Sequence, residues 1–222
     1  MHMKTLAALA ATTALAFGTA ACGGSDDEAA SATTTTKQAE PAVTPVAEIP
    51  ALTGKDTAVT LDAGFVEALG SLKLTPAPLG TAEISKDGVA SFPITGGNVT
   101  YYTPGTESPY VQGEVDHEGS GLSLTGGGKT VELTDFVVDP GKSLLTGKVT
   151  VDGEVAAESA PLFFLDGRTL KPLQTGDGTA ILEGTTVKLK QEAADLLNQT
   201  FGVDALTGGF KIGIATIEVN TA

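Results

Sequence analysis

The chain has 222 residues, with 27 Asp and Glu against 13 Lys and Arg, and a formal net charge of −14. That balance argues against nucleic acid and against an anionic membrane surface as partners, since both require a cationic face. Cys22 is the only cysteine, so no internal disulfide can brace the fold.

The N-terminus reads "MKTLAALAATTALAFGTAAC": one lysine, an apolar Ala/Leu run, then small residues before Cys22. This is the pattern of a secretory signal, and the run is shorter than the roughly 20 apolar residues that span a membrane. A lone cysteine after "GTAA" resembles the lipobox of bacterial lipoproteins, in which that cysteine is diacylated, although Thr19 stands where the pattern prefers leucine. Thr19 and Ala21 also suit ordinary secretory cleavage after Ala21. The following "GGSDDEAASATTTTKQAEPAVTPVAEIP" is small, polar, acidic and proline-containing, and has too little apolar surface to offset its ordering entropy. The expected organisation is a signal peptide over 1–21, then a lipidated Cys22 and disordered acidic tether over 22–52. A single domain over 53–222 follows, anchored to the extracytoplasmic face of a cell membrane.

From about residue 83 onward the pattern is one of strands. "VASFPI" (89–94), "NVTYY" (98–102), "YVQGEVDH" (110–117), "LSLT" (122–125), "TVELTDFVVD" (130–139) and "LLTGKVTVDG" (144–153) are rich in β-branched and aromatic residues. Many of these alternate with polar residues, and Gly, Pro or Asp clusters separate the runs. "PLFFLD" (161–166) is continuously apolar at its centre, as in a strand buried on both faces. Two segments follow a helical period instead: "DAGFVEALGSL" (62–72) and "KQEAADLLNQTFG" (190–202), the second stopped by Gly202. "TAVTLDAGFVEAL" (57–69) aligns without gaps on "TTVKLKQEAADLL" (185–197), so a short strand running into a helix occurs twice. The expected fold is mainly β, an antiparallel β-sandwich with two short amphipathic helices.

"SGLSLTGGGKTVELTDF" (120–136) ends its glycine run as a phosphate-binding loop does, in Gly-Lys-Thr. The loop's first glycine should fall at position 123, which is Ser123, and "TVELT" after Lys129 alternates as a strand. No helix N-terminus would face a phosphate, so the segment reads as a hairpin turning at Gly126–Gly128, and no nucleotide is expected. No "GxSxG" occurs, and Asp116, His117 and Ser120 are strand neighbours that point to different faces, so no triad forms. Beyond the signal, one histidine and the cysteine of the tether are too few for a metal site. The chain therefore reads as a binding or structural module rather than an enzyme. His117 lies between Asp116 and Glu118, whose charges favour its protonated form.

In their order, "FPITGGNV", "VQGEVDHEGSGLSLTGGGKTVELTDFVVD", "LLTGKV" and "EAADLLNQTFG…GFKIGIATIEV" resemble the HtaA-type domain of bacterial secreted and surface proteins. The resemblance spans most of residues 57–219 and is most specific at "GEVDHEGSGL" and "LTDFVVD". It implies a β-sandwich with two short helices and, as in some members, haem held through a tyrosine assisted by a histidine. His117 falls on that histidine. The tyrosine does not transfer directly, because haem-binding members carry it in a tryptophan-containing opening motif and this chain has no tryptophan. The tyrosines present are Tyr101, Tyr102 and Tyr110. Side chains alternate along a strand, so only one of Tyr101 and Tyr102 shares a face with His117. On a continuous strand Tyr110 falls on the opposite face from His117, unless a bulge intervenes. The expected function is an envelope-anchored binding module of HtaA type with haem as its ligand. The alternative is a ligand-free structural or protein-interaction module of the cell envelope.

Overall fold

A computed structural model describes residues 42–221. The expected signal peptide, Cys22 and all but the end of the tether lie outside the described residues. Strands β1 (Ala47–Ile49), β2 (Asp56–Leu61), β3 (Thr75–Gly80), β4 (Glu83–Ile84), β5 (Val89–Pro93), β6 (Gly96–Tyr101) and β7 (Val111–Gly126) make up the first half. The second holds β8 (Lys129–Asp139), β9 (Leu144–Val151), β10 (Glu154–Asp166), β11 (Gln174–Gly176), β12 (Thr179–Leu189) and β13 (Lys211–Asn220). Helices α1 (Ala63–Ser71) and α2 (Gln191–Phe201) follow β2 and β12. Ala47–Ile49 pairs with β6 and Leu52 is buried, so the ordered fold starts ahead of position 53, where composition had placed its boundary.

The strands form one sheet in the order β1-β6-β7-β8-β9-β10-β12-β13-β2-β5-β4, with β3 added to β7 and β11 to β12. Each ladder between named strands is antiparallel. The fold is mainly β with two helices, as the strand pattern indicated. The sheet curls until its halves face each other across a core, a half-barrel form of the sandwich. Chain continuity helps the curl: β5 leads into β6 within three residues, and Thr95 donates its backbone N–H to the Asp116 carbonyl of β7 at 2.8 Å.

The hairpin at the former P-loop candidate is a two-residue turn. Gly126 pairs with Lys129, and Gly127 and Gly128 both have positive φ (58° and 77°), the backbone that glycine adopts without a Cβ clash. Leu124 faces Val131 and Leu122 faces Leu133 across the ladder, with Val131 fully buried. Lys129 pairs with Asp152 at 2.8 Å on the surface, a site with nothing of a phosphate cradle about it.

Two sequence expectations need correction. The segments 110–117 and 122–125 belong to one strand, β7, whose register shifts between His117 and Gly121. Before the shift β7 pairs with β6 on its outer side, and after it with β3. The second correction concerns "PLFFLD": Leu165 is buried but its neighbour Phe164 is 44% exposed, so this strand has one solvent face. Its apolar run continues outward because Phe164 sits at the rim of a cavity.

The repeated strand-helix unit occupies related positions. β2 and β12 both pair with β13, one on each side, and run parallel to each other into α1 and α2. Asp62 caps α1 by accepting from the Gly64 N–H at 3.0 Å, and Gly202 ends α2 in the left-handed region at φ 67°. Leu69 in α1 and Leu197 in α2 are buried, whereas Phe65 and Leu196 are half-buried. Phe65 meets Phe210 edge to face at 6.4 Å. α2 covers Leu133, Val149, Leu162 and Leu189. Among the described residues no helix is long and apolar enough to cross a membrane.

Candidate functional site

The connections β6–β7, β8–β9 and β10–β11 lie at one end of the curled sheet, and the helices α1 and α2 start from the other. Inside the curl, opening among those three connections, is a cavity of about 830 Å³. Its walls follow from register. On one side Ala90, Val59, Ala215 and Thr185 form a row across β5, β2, β13 and β12. These side chains are too small to reach the opposite wall, where Val115, Val138 and Leu145 form the corresponding row across β7, β8 and β9. A hollow results, of the size that small molecules and cofactors occupy.

His117 lines this cavity and is 2% exposed, among the most buried side chains of the fold. Its Nδ1 lies 3.0 Å from the Pro93 carbonyl of β5, and its Nε2 lies 3.2 Å from the Thr57 hydroxyl of β2. A carbonyl only accepts, so Nδ1 carries the proton; in the neutral ring Nε2 then accepts from the Thr57 O–H. Phe92 and Phe136 flank the ring, Phe92 meeting it edge-on at 6.4 Å and Phe136 packing against Phe92 at 5.3 Å. Burial pushes the His117 pKa down, against the opposing pull of the Pro93 carbonyl and of Asp116 and Asp56. The expectation that flanking carboxylates would favour the charged ring is therefore overturned. β7 aims the imidazole inward, away from those charges, and desolvation outweighs them.

The three tyrosines separate. Tyr101 pairs with Val111, so it shares the inward face of Val115 and His117, and it is 7% exposed. Tyr110 precedes β7 and is not bound by strand alternation; it turns into the cavity from the β6–β7 connection, where Tyr102 donates its N–H to the Tyr110 carbonyl at 2.7 Å. Tyr101 and Tyr110 meet edge to face at 5.9 Å. Tyr102 does not line the cavity. Burial raises the Tyr110 pKa, and the neighbouring Tyr101 adds to the effect. Among the described residues no buried side-chain oxygen lacks a partner. The two phenol hydroxyls, which pair with no protein group there, are accordingly accessible, and both tyrosines line the cavity. Among the same residues no cluster of three or more His, Cys, Asp or Glu is arranged to hold a metal ion.

At the rim Asp166, 8% exposed, accepts from Arg168 Nε at 2.8 Å and Nη2 at 2.6 Å, and from Lys188 Nζ at 2.8 Å. Those two cations hold its carboxyl well below the usual carboxylate range. Lys188 joins Arg168 from the neighbouring strand, a juxtaposition set by the β10–β12 register.

No family model matches this chain, and no curated protein matches it in sequence. Among solved structures, the C-terminal domain of HtaA from Corynebacterium glutamicum superposes with a TM-score of 0.53 at 14% identity. The match covers 77% of this chain and 98% of that domain. The fold is that of an HtaA-type domain. A domain-swapped dimeric variant of the same HtaA domain aligns over 72% of this chain and 92% of its own, with a TM-score of 0.43 and 14% identity. At 14% identity the first of these likenesses speaks for the HtaA-type architecture alone, and the chemistry of the cavity has to be read from this chain's own residues.

Proposed function

We propose that this protein is a binding module of the bacterial cell envelope that holds a bulky apolar cofactor inside its curled sheet, with haem as the ligand. The observation that carries this reading is the cavity of about 830 Å³, which Tyr101 and Tyr110 both line. A porphyrin is a flat apolar body, and the lining, from Val59 to Phe136, is dominated by apolar side chains. Ferric iron favours a hard phenolate ligand, which Tyr101 supplies in this reading, with Tyr110 beside it. His117 has both nitrogens engaged by Thr57 and Pro93, so it serves the site by closing the sheet around the cavity rather than by bonding the ligand.

Ferric haem titrated into the purified domain should give saturable binding and a tyrosinate-type absorption spectrum. Tyr101→Phe should abolish that spectrum, and Tyr102→Phe, altered outside the cavity, should leave it intact. Absence of saturable binding would instead support the ligand-free structural module. The reading also includes anchoring through Cys22, motivated by the apolar run ending in "TAAC" and the acidic segment after it. Two acyl chains give stable membrane attachment where one is marginal. Cys22→Ala should therefore release the protein from the membrane fraction; unchanged fractionation would rule out the anchor.

A further inference from the structure

Asp166 and Arg168 line the cavity, and Lys188, which does not line it, joins them through Asp166. One carboxylate, Asp166, needs one cation for neutrality, yet it holds two, Arg168 and Lys188. The cluster is thus net positive by one charge, in a chain with 27 acidic and 13 basic side chains. Arg168, which lines the cavity, spends Nε and one Nη2 proton on Asp166, and its side chain is 82% exposed, so its remaining guanidinium donors are open to solvent. Asp166 fixes the guanidinium plane, which removes much of the entropy cost of recruiting it. Gly167, between the two, faces the Tyr110 hydroxyl; a Cβ there would stand 4.0 Å from that oxygen. A phenol donor and a pre-oriented guanidinium therefore share one corner of the mouth, and Phe164 lies exposed beside it.

We propose that this corner, Arg168 with Lys188 and Asp166, is a carboxylate-binding site that orients an amphipathic ligand, its apolar body in the cavity and its acid group at the rim. The proposal rests on the cavity being a ligand site but not on iron being bound. Two ligand classes carry this chemistry, tetrapyrrole acids and long-chain fatty acids, and the Arg168 corner would receive the acid of either. The guanidinium meets the carboxylate with its outer N–H donors while Lys188 keeps Asp166 ionised and neutralised.

The test compares acids with their esters, which keep the apolar body and lose the charge. Metal-free protoporphyrin and its dimethyl ester form one arm, palmitate and methyl palmitate the other, each measured by fluorescence or calorimetric titration. In at least one arm the acid should bind roughly tenfold tighter than the ester, as expected for a charge-assisted hydrogen bond at a partly solvated rim. Arg168→Gln should remove that preference while leaving ester affinity unchanged; the arm in which the preference occurs names the ligand class. Lys129→Gln, which alters a cation at the far hairpin, should leave the preference intact. Equal affinity for acid and ester in both arms, absence of binding in both, or a preference that survives Arg168→Gln would overturn the proposal. Acid preference for metal-free protoporphyrin without a tyrosinate spectrum from ferric haem would retain the carboxylate site and reject the phenolate ligand.

Discussion

Burying an imidazole beneath two phenyl rings is costly unless both nitrogens are paired, and His117 meets that condition by joining strands from both ends of the sheet path. β7 lies near one end, while Thr57 and Pro93 lie on β2 and β5 near the other. Burial outweighs the opposing pull of the Pro93 carbonyl and nearby carboxylates, so the folded pKa lies below the ordinary value of 6.5. The sign of the linkage follows. Below about pH 6.5 the unfolded chain binds a proton at this residue that the folded chain resists. The stability from His117 is thus fully present above pH 6.5 and declines as the pH falls from there toward the depressed folded pKa. Urea unfolding at pH 7.5 and 5.5 should show lower stability at the acid value, and His117→Gln should reduce the part of that difference due to the ring. An equal pH dependence in the variant would show that other groups carry it. Sequence neighbours suggested the opposite shift, because Asp116 and Glu118 were visible and the burial of the ring by distant strands was not.

At the scale of elements, legibility followed the range of the interactions. The hairpin at Gly127–Gly128 was readable because its alternation and turn glycines lie within a dozen residues. The two helices were readable for the same reason, through their periods and the Gly202 stop. β3, "TPAPLG", escaped notice because Pro76 and Pro78 argue against a strand; it exists as an outer strip along β7, where a missing N–H is tolerated. The bend that lets β7 change partner from β6 to β3 was equally hidden, since the shift after His117 is decided across three ladders. Gly121 shows the constraint: a Cβ there would come within 2.2 Å of the Leu133 carbonyl. Gly121→Ala should cost roughly 1–3 kcal/mol, the range for overpacking. Leu124→Ala, at a buried pair with Val131, should cost roughly 2–5 kcal/mol. Lys129→Ala removes only a surface ion pair and should stay within about 0.5 kcal/mol. Denaturant midpoints at constant m-value measure all three, and similar losses at Lys129 and Leu124 would contradict the packing described for this hairpin.

At the scale of the whole molecule the cavity poses a thermodynamic question. A dry apolar void costs about 24 cal/mol per Å³, so at about 830 Å³ the penalty would be on the order of 20 kcal/mol. That exceeds the roughly 5–15 kcal/mol by which a domain is stable. The free protein must therefore admit water through the mouth, and an apolar ligand that replaces it adds stability by mass action. At a free concentration of 100 times Kd the gain is about 2.7 kcal/mol. For a domain of this size that corresponds to a rise of roughly 5–11 °C in Tm. The small row Ala90–Val59–Ala215–Thr185 makes this argument testable without knowing the ligand's orientation. Ala215→Phe places a ring into the hollow from the centre of β13, where the alanine is buried and lines the space. If the hollow is as open as the register implies, the variant should fold with a Tm no lower than the parent's, because the ring meets space instead of packed neighbours. The same ring should abolish the ligand-induced rise in Tm by occupying the volume the ligand needs. A variant that folds normally and still gains 5–11 °C on adding haem would place the ligand outside the curled sheet. A variant with a much lower Tm would show that the two walls close on each other in solution.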